Sequence, residues 1–272
     1  MDKLQKKQMK TLNREFLALQ RKENKVMSAA LKARQPGWKK ALEAKVPEKV
    51  YTGLNSAFAK GFSLVFQHGR KVIELTYKKE KAEKGHTARN ENFQSSGDRR
   101  EVKQIHKSAG RSNKVNLVMT TVEGVGLGAL GIGMPDIVLF LSTVLRGVYE
   151  TALHYGFGYE TRFEQMLILK MMAASLSSGE AWFHRNKEIN DWILAGEREI
   201  PETDFQAQIQ DTASVFAVDM LLLKFIQGLP VVGLLGGAAN PLYYNKILQY
   251  AQLKYKRRYL LNCQKHMQRT GS

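Results

Sequence analysis

Residues 123–159, EGVGLGALGIGMPDIVLFLSTVLRGVYETALHYGFGY, decide the fold. A glycine ladder (Gly124, Gly126, Gly128, Gly131, Gly133) runs into Met134-Pro135-Asp136. Proline at the first helical position is preorganised, and an acid beside it suits the positive end of the helix dipole. A helix is therefore expected to start at Pro135, with the preceding chain bending near Gly131. The apolar run 137–141 then passes into a helix with one polar side: Asp136, Thr143, Arg146, Glu150 and His154 fall within about one third of the circle at 100° per residue.

Working outward, residues 3–34 read as one long basic helix. Leu4, Met9, Leu12, Phe16, Leu19, Val26 and Ala30 recur mostly three or four apart, with lysines between them. Pro36-Gly37 ends it. Pro47 opens a second helix through Phe58 and Val65, with a basic continuation to Lys84. Residues 85–97, GHTARNENFQSSG, are polar and aperiodic, and are expected to form a flexible surface loop. Helices are expected from Asp98, over 161–178, over 180–195 and over 204–226. Residues 216–239 are a second apolar, glycine-bearing stretch, a loose echo of the first ending at Asn240-Pro241. A last basic helix, 242–266, places Tyr243, Ile247, Tyr250 and Leu253 on one side. No stretch alternates as a strand does. The expected fold is all-α, a multi-helix bundle with two Gly-rich apolar helical hairpins. Its expected parts are a basic amphipathic helix (1–35), one helical domain (36–266) and a short tail (267–272).

The two apolar stretches reach the roughly 20 residues that a membrane span needs. Both carry charge inside, Asp136 in one and Asp219 with Lys224 in the other, so buried core helices are the expectation. A mean hydropathy of −0.35 agrees. The one cysteine, Cys263, leaves no disulfide framework, and the opening MDKLQKKQMK shows no apolar signal core; a cytoplasmic location is the expectation.

The net charge of +17 is unevenly placed. Residues 1–120 hold 28 Lys+Arg against 11 Asp+Glu, and residues 251–272 hold 6 against none, while the centre is mildly acidic. Basic ends on an apolar body suggest a polyanionic partner. The candidate anion contacts are Lys3, Lys6, Lys7, Lys10, Arg14, Arg21 and Lys22 near the start, with Lys254, Arg257 and Arg258 near the end. Basic amphipathic helices adsorb to anionic membranes. Zinc-finger, RNP-like and helix-turn-helix signatures are absent, which ranks nucleic acid lower.

Two constellations could carry chemistry. The stripe Asp136, Arg146, Glu150 and His154 is either a salt-bridged surface or a buried polar site able to support hydrolysis. Glu150-x-x-x-His154 is matched by Glu180-x-x-x-His184, so two helices each offer a carboxylate and an imidazole one turn apart. The Glu-x-x-His spacing and Glu-rich partner helices of di-iron bundles are missing, so no metal and no cofactor is expected. The glycine ladder lacks the Gly-Lys-[Ser/Thr] ending of a P-loop.

Several pieces together resemble the EcsC family: GALGIGMPDIVLFL, Arg146 to Glu150 at four-residue spacing, and HYGFGY at 154–159. So do Pro230-Val-Val-Gly233 through Gly237 and Asn240, the run Arg258-Tyr259-Leu260, and the early PGWKKALEAKVPEKV. The resemblance spans about residues 36–260; the helix before Pro36 looks like an addition. It implies a bacterial helical protein, and it marks Gly131, Pro135, Tyr155, Gly156, Pro230, Gly233 and Asn240 as structural positions. The family's founder is encoded beside an ABC transporter implicated in protein export, which implies an accessory role there and assigns no catalytic residues. The functional expectation is a non-catalytic protein on an anionic membrane surface or a membrane-bound protein, at the inner face. The alternatives are a hydrolase centred on the stripe, metal-assisted or not, and a nucleic-acid binder through the basic ends.

Overall fold

The computed structural model describes residues 2–32, 48–69, 73–74, 77–119, 135–227 and 239–270. Among these there are nine α-helices and no strand: α1 (Lys3–Lys32), α2 (Glu48–Leu64), α3 (Lys79–Ser96), α4 (Arg99–Met119), α5 (Pro135–His154), α6 (Arg162–Leu176), α7 (Gly179–Ala195), α8 (Glu202–Gln227) and α9 (Ala239–Thr270). The all-α expectation holds. Residues 120–134 and 228–238, with Gly131, Pro230 and Gly233, lie outside the described residues.

Two helices form the axis of the bundle. Every residue of α6 from Phe163 to Leu176 is buried. Thr161 caps its start by accepting from the Glu164 N–H at 3.2 Å, which satisfies one of the orphan donors of a helix N-terminus. α9 packs on α1, α4, α5, α6 and α7. Its side chains are buried on nearly all sides, including Tyr244, Ile247, Ala251, Tyr255 and Leu260. α9 is thus a core helix whose lysines must find acids. It also runs to Thr270 with Met267 buried, so the expected tail from 267 is a helix end instead.

The start of α5 at Pro135 is as the sequence predicts. Over Ile137–His154 it is long and apolar enough to cross a membrane by length and composition, and 78% of that window is buried inside the bundle. It packs on α2, α3, α4 and α9. Gly147 lets α9 approach closely: a Cβ there would lie 2.7 Å from Tyr244 Oη and 2.8 Å from Leu248 Cδ1. Gly147→Ala gains about 1 kcal/mol of helix propensity but overpacks a buried contact, at about 1–3 kcal/mol. We expect a net loss of stability for alanine and a larger one for Gly147→Val, read from urea denaturation midpoints.

Two further expectations are corrected. Residues 85–97 are not a loop: α3 runs through them and ends at Gly97, whose φ of +62° and N–H to Phe93 O at 2.8 Å make a left-handed cap. The apolar period is missing because α3 buries only Ala82 and Phe93. Polar contacts hold it instead, with Asn90 Oδ1 accepting from Tyr259 Oη at 3.0 Å and Gln8 Nε2 donating to Gln94 O at 2.6 Å.

Nor is α1 an appendage. Leu12 and Leu19 are 1% exposed, and Thr11 donates to Gly97 O at 2.9 Å, so α1 supplies partners for the carbonyls that α3 leaves unpaired at its end.

Candidate functional site: the outward face of α1

Within the polar stripe of α5, Arg146 and Glu150 turn inward. Arg146 and Glu150 are 9% and 5% exposed, and Arg146 Nε lies 3.4 Å from Glu150 Oε1. Beside them Tyr149 stacks on Tyr159, centroids 4.1 Å apart. Tyr77 donates to Tyr159 Oη at 2.5 Å, and Tyr159 donates to Glu74 Oε1 at 2.8 Å. Burial first, with Glu74 and Glu150 adding, pushes the Tyr77 phenol above its ordinary pKa. These phenols stay protonated and act as fixed donors. His154 points towards α3, where His86 and Arg89 face it. The stripe therefore divides between two packing interfaces. The Asp136 side chain lies outside the described residues.

The second Glu/His pair stands elsewhere. Glu180 and His184 are exposed on α7, with His184 Nε2 3.5 Å from Glu180 Oε1. α7 packs on α1, α6 and α9, while α5 packs on α2, α3, α4 and α9. Among the described residues no group of three or more His, Cys, Asp or Glu could hold a metal ion.

Of the family-marked positions, Tyr155 is buried and bonded to His106, with Nδ1 to Oη at 2.6 Å. Gly156 has a φ of +81°, and a Cβ there would collide with the His86 imidazole. The Asn240 side chain lies outside the described residues.

His106 and His154 are both lowered to about 4: His106 by burial, then by Lys256 and Lys22, and His154 by burial, then by Arg89 and His86. A base depressed in the fold takes up its proton first in the unfolded chain. Its contribution is fully present above about pH 6.5 and is lost as pH falls towards 4, at about 1.4 kcal/mol per pH unit per histidine. Glu164 and Asp219, raised by burial, oppose this nearer the carboxylate range. Urea midpoints are expected to drop between pH 7 and pH 5, and to drop less steeply in His154→Leu.

The basic ends separate sharply. The C-terminal cations turn inward, each towards a partner inside the bundle. Lys254 is 2% exposed and donates to Asn190 Oδ1 at 2.8 Å. Arg257 holds Glu23 at 2.9 and 2.5 Å, and Arg258 holds the buried Glu164 at 2.5 Å. Lys256, 4% exposed, reaches Glu15 at 2.6 Å. On a helix buried on most sides, each charge needs an opposite one.

The N-terminal cations face outward, with Lys22 also reaching back to His106 of α4, Nζ to Nε2 at 3.1 Å. All nine Lys and Arg of α1, including Lys3, Lys6, Lys7, Lys10, Arg14, Arg21 and Lys22, are exposed. Both glutamates of α1 turn inward: Glu15 to Arg99 and Lys256, each at 2.6 Å, and Glu23 to Arg257. Burial alone would raise the Glu15 carboxyl, but Lys256 and Arg99 hold it below its ordinary pKa. At 100° per residue, seven of the nine cations (Lys3, Lys7, Lys10, Arg14, Arg21, Lys25 and Lys32) fall within about 60°, opposite Leu12 and Leu19. The result is a ridge of one sign, about 43 Å long at 1.5 Å per residue. Composition locates the cations but not this division of labour. One signal was available: Glu15 sits among Leu12, Phe16 and Leu19, on the side that packs.

The EcsC protein family model matches residues 10–260 of the chain. The match covers most of α1 as well as the apolar centre, so α1 is not an addition to the family's fold. Comparison with curated proteins found no match, and comparison with solved structures found none. The chain belongs to the EcsC family.

Proposed function

We propose that this member of the EcsC family binds rather than catalyses, and docks on an anionic membrane surface through the outward ridge of α1. The observation that carries the reading is the sorting of charge on that helix, with nine exposed cations and two glutamates turned into the bundle. Each basic group near an anionic leaflet contributes about 1 kcal/mol. The mode of binding differs from the sequence expectation. The apolar side of α1 is occupied by the bundle, so attachment is electrostatic rather than by insertion of that side into the headgroup boundary. A cytoplasmic, inner-face location and an accessory role in protein export belong to the same proposal, and the second rests on the family resemblance alone.

Co-sedimentation of the full chain with vesicles tests it. Binding to vesicles containing phosphatidylglycerol is expected at 0.1 M salt, with little binding to neutral vesicles. It should be lost towards 1 M, as the Debye length shortens from about 10 Å to about 3 Å. Equal binding to neutral vesicles, or a salt-sensitive preference for DNA or RNA over vesicles, would overturn the reading.

A further inference from the structure

On the side of α1 away from the ridge, a pocket of about 200 Å³ opens between α1, α7 and α9. At its base is Lys254, buried and donating to Asn190 Oδ1 at 2.8 Å, with its Nζ 3.5 Å from Glu23. An ammonium can only donate, so Asn190 must offer it Oδ1, and the two Nδ2 protons turn elsewhere. One turn back on α7, Asn186 Oδ1 accepts from Tyr250 Oη at 2.8 Å, which again leaves an amide nitrogen unengaged. The one carboxylate in the lining, Glu23, has its oxygens on Arg257 Nε and Nη2. Arg257 Nη1 and a third Lys254 proton remain.

On α7 and α9 the groups left over are donors, and across the pocket the amides of Gln20 and Asn24 on α1 can turn either way. Lys254, Arg257 and Glu23 together leave it one positive charge in excess. Trp182, 3% exposed, and Tyr250 form an aromatic wall, and hydrogen bonds to an ion strengthen where water is scarce. Burial lowers Lys254 to about 8, so the ammonium persists at neutral pH. The excess positive charge is what favours an anion here: a cation would add to it and a neutral sugar would leave it unbalanced.

We propose that this pocket is a binding site for a small oxyanion of the phosphate class, held by Lys254, Arg257, Asn186 and Asn190. The oxyanion is either free or carried on a phosphomonoester headgroup.

The test is titration of the full chain with inorganic phosphate, with sodium chloride adjusted to constant ionic strength. It is followed by calorimetry and by tryptophan emission, in which Trp182 reports. Saturable binding is expected. Asn186→Asp replaces two donors with a charge repelling the ligand while keeping an acceptor for Tyr250, and should weaken binding at least tenfold with an unchanged melting temperature. Lys254→Met should abolish it. Reversing the ridge charges should leave it intact, and since no vesicle is present, failure here is distinct from failure of the membrane reading. Competition by phosphatidic acid vesicles supports the headgroup source, and its absence supports the free ion. No saturable heat, equal binding by Asn186→Asp, or loss on ridge reversal would overturn the proposal.

Discussion

Replacing Glu15 with alanine is expected to cost about 3–5 kcal/mol of stability, the range for removing one partner of a buried ion pair. The side chain is 2% exposed and accepts from Arg99 of α4 and Lys256 of α9, each at 2.6 Å. Alanine would leave Lys256, itself 4% exposed, without its counter-charge. Desolvation of that ammonium, more than the lost bond, sets the size of the effect. Glu15→Gln keeps the shape and loses the charge, and should fall between alanine and the natural residue. The double variant Glu15→Met with Lys256→Met removes both charges and should recover much of the loss. The sign with pH follows from the lowered carboxyl: its contribution is present above the unfolded value near 4.5 and is lost as pH falls through the folded value. An alanine variant within about 0.5 kcal/mol of wild type, a typical surface substitution, would show that α1 is not fastened by this cluster.

That cluster also marks where sequence reasoning stopped. The helical class, the helix start at Pro135 and the buried character of residues 137–154 follow from local rules: proline at the first turn, periodic apolar positions, charge inside the apolar runs. The stripe on α5 was visible, because Arg146, Glu150 and His154 share a face by helix geometry alone. What remained hidden was non-local. Lys254, Lys256, Arg257 and Arg258 look like a solvated basic end, since their acids lie on other helices: Glu15 and Glu23 on α1, and Glu164 on α6. Helix α3 escaped because its apolar contacts are two residues, Ala82 and Phe93, and no period can be read from two points. Polar partners on α1 and α9 hold it, and a single sequence carries no mark of them.

Reversing four charges of the ridge, Lys3, Lys7, Lys10 and Arg14, each to glutamate, carries the largest expected functional effect. The four lie on one stripe and are exposed, so each substitution should change stability by no more than about 0.5 kcal/mol. The loss of four attractive groups at about 1 kcal/mol each, with repulsion added, amounts to a hundredfold or greater loss of affinity. Glu15 and Glu23 are untouched, and the inward pairs that fasten α1 persist. A deletion of α1 is the wrong experiment, because it also removes the partners of Lys256 and Arg257. The deciding measurement is co-sedimentation of this variant and the natural chain with phosphatidylglycerol vesicles at 0.1 M salt, at matched melting temperature. The account predicts that the natural chain pellets with the vesicles and the variant stays in the supernatant; a variant that pellets as the natural chain does would contradict it.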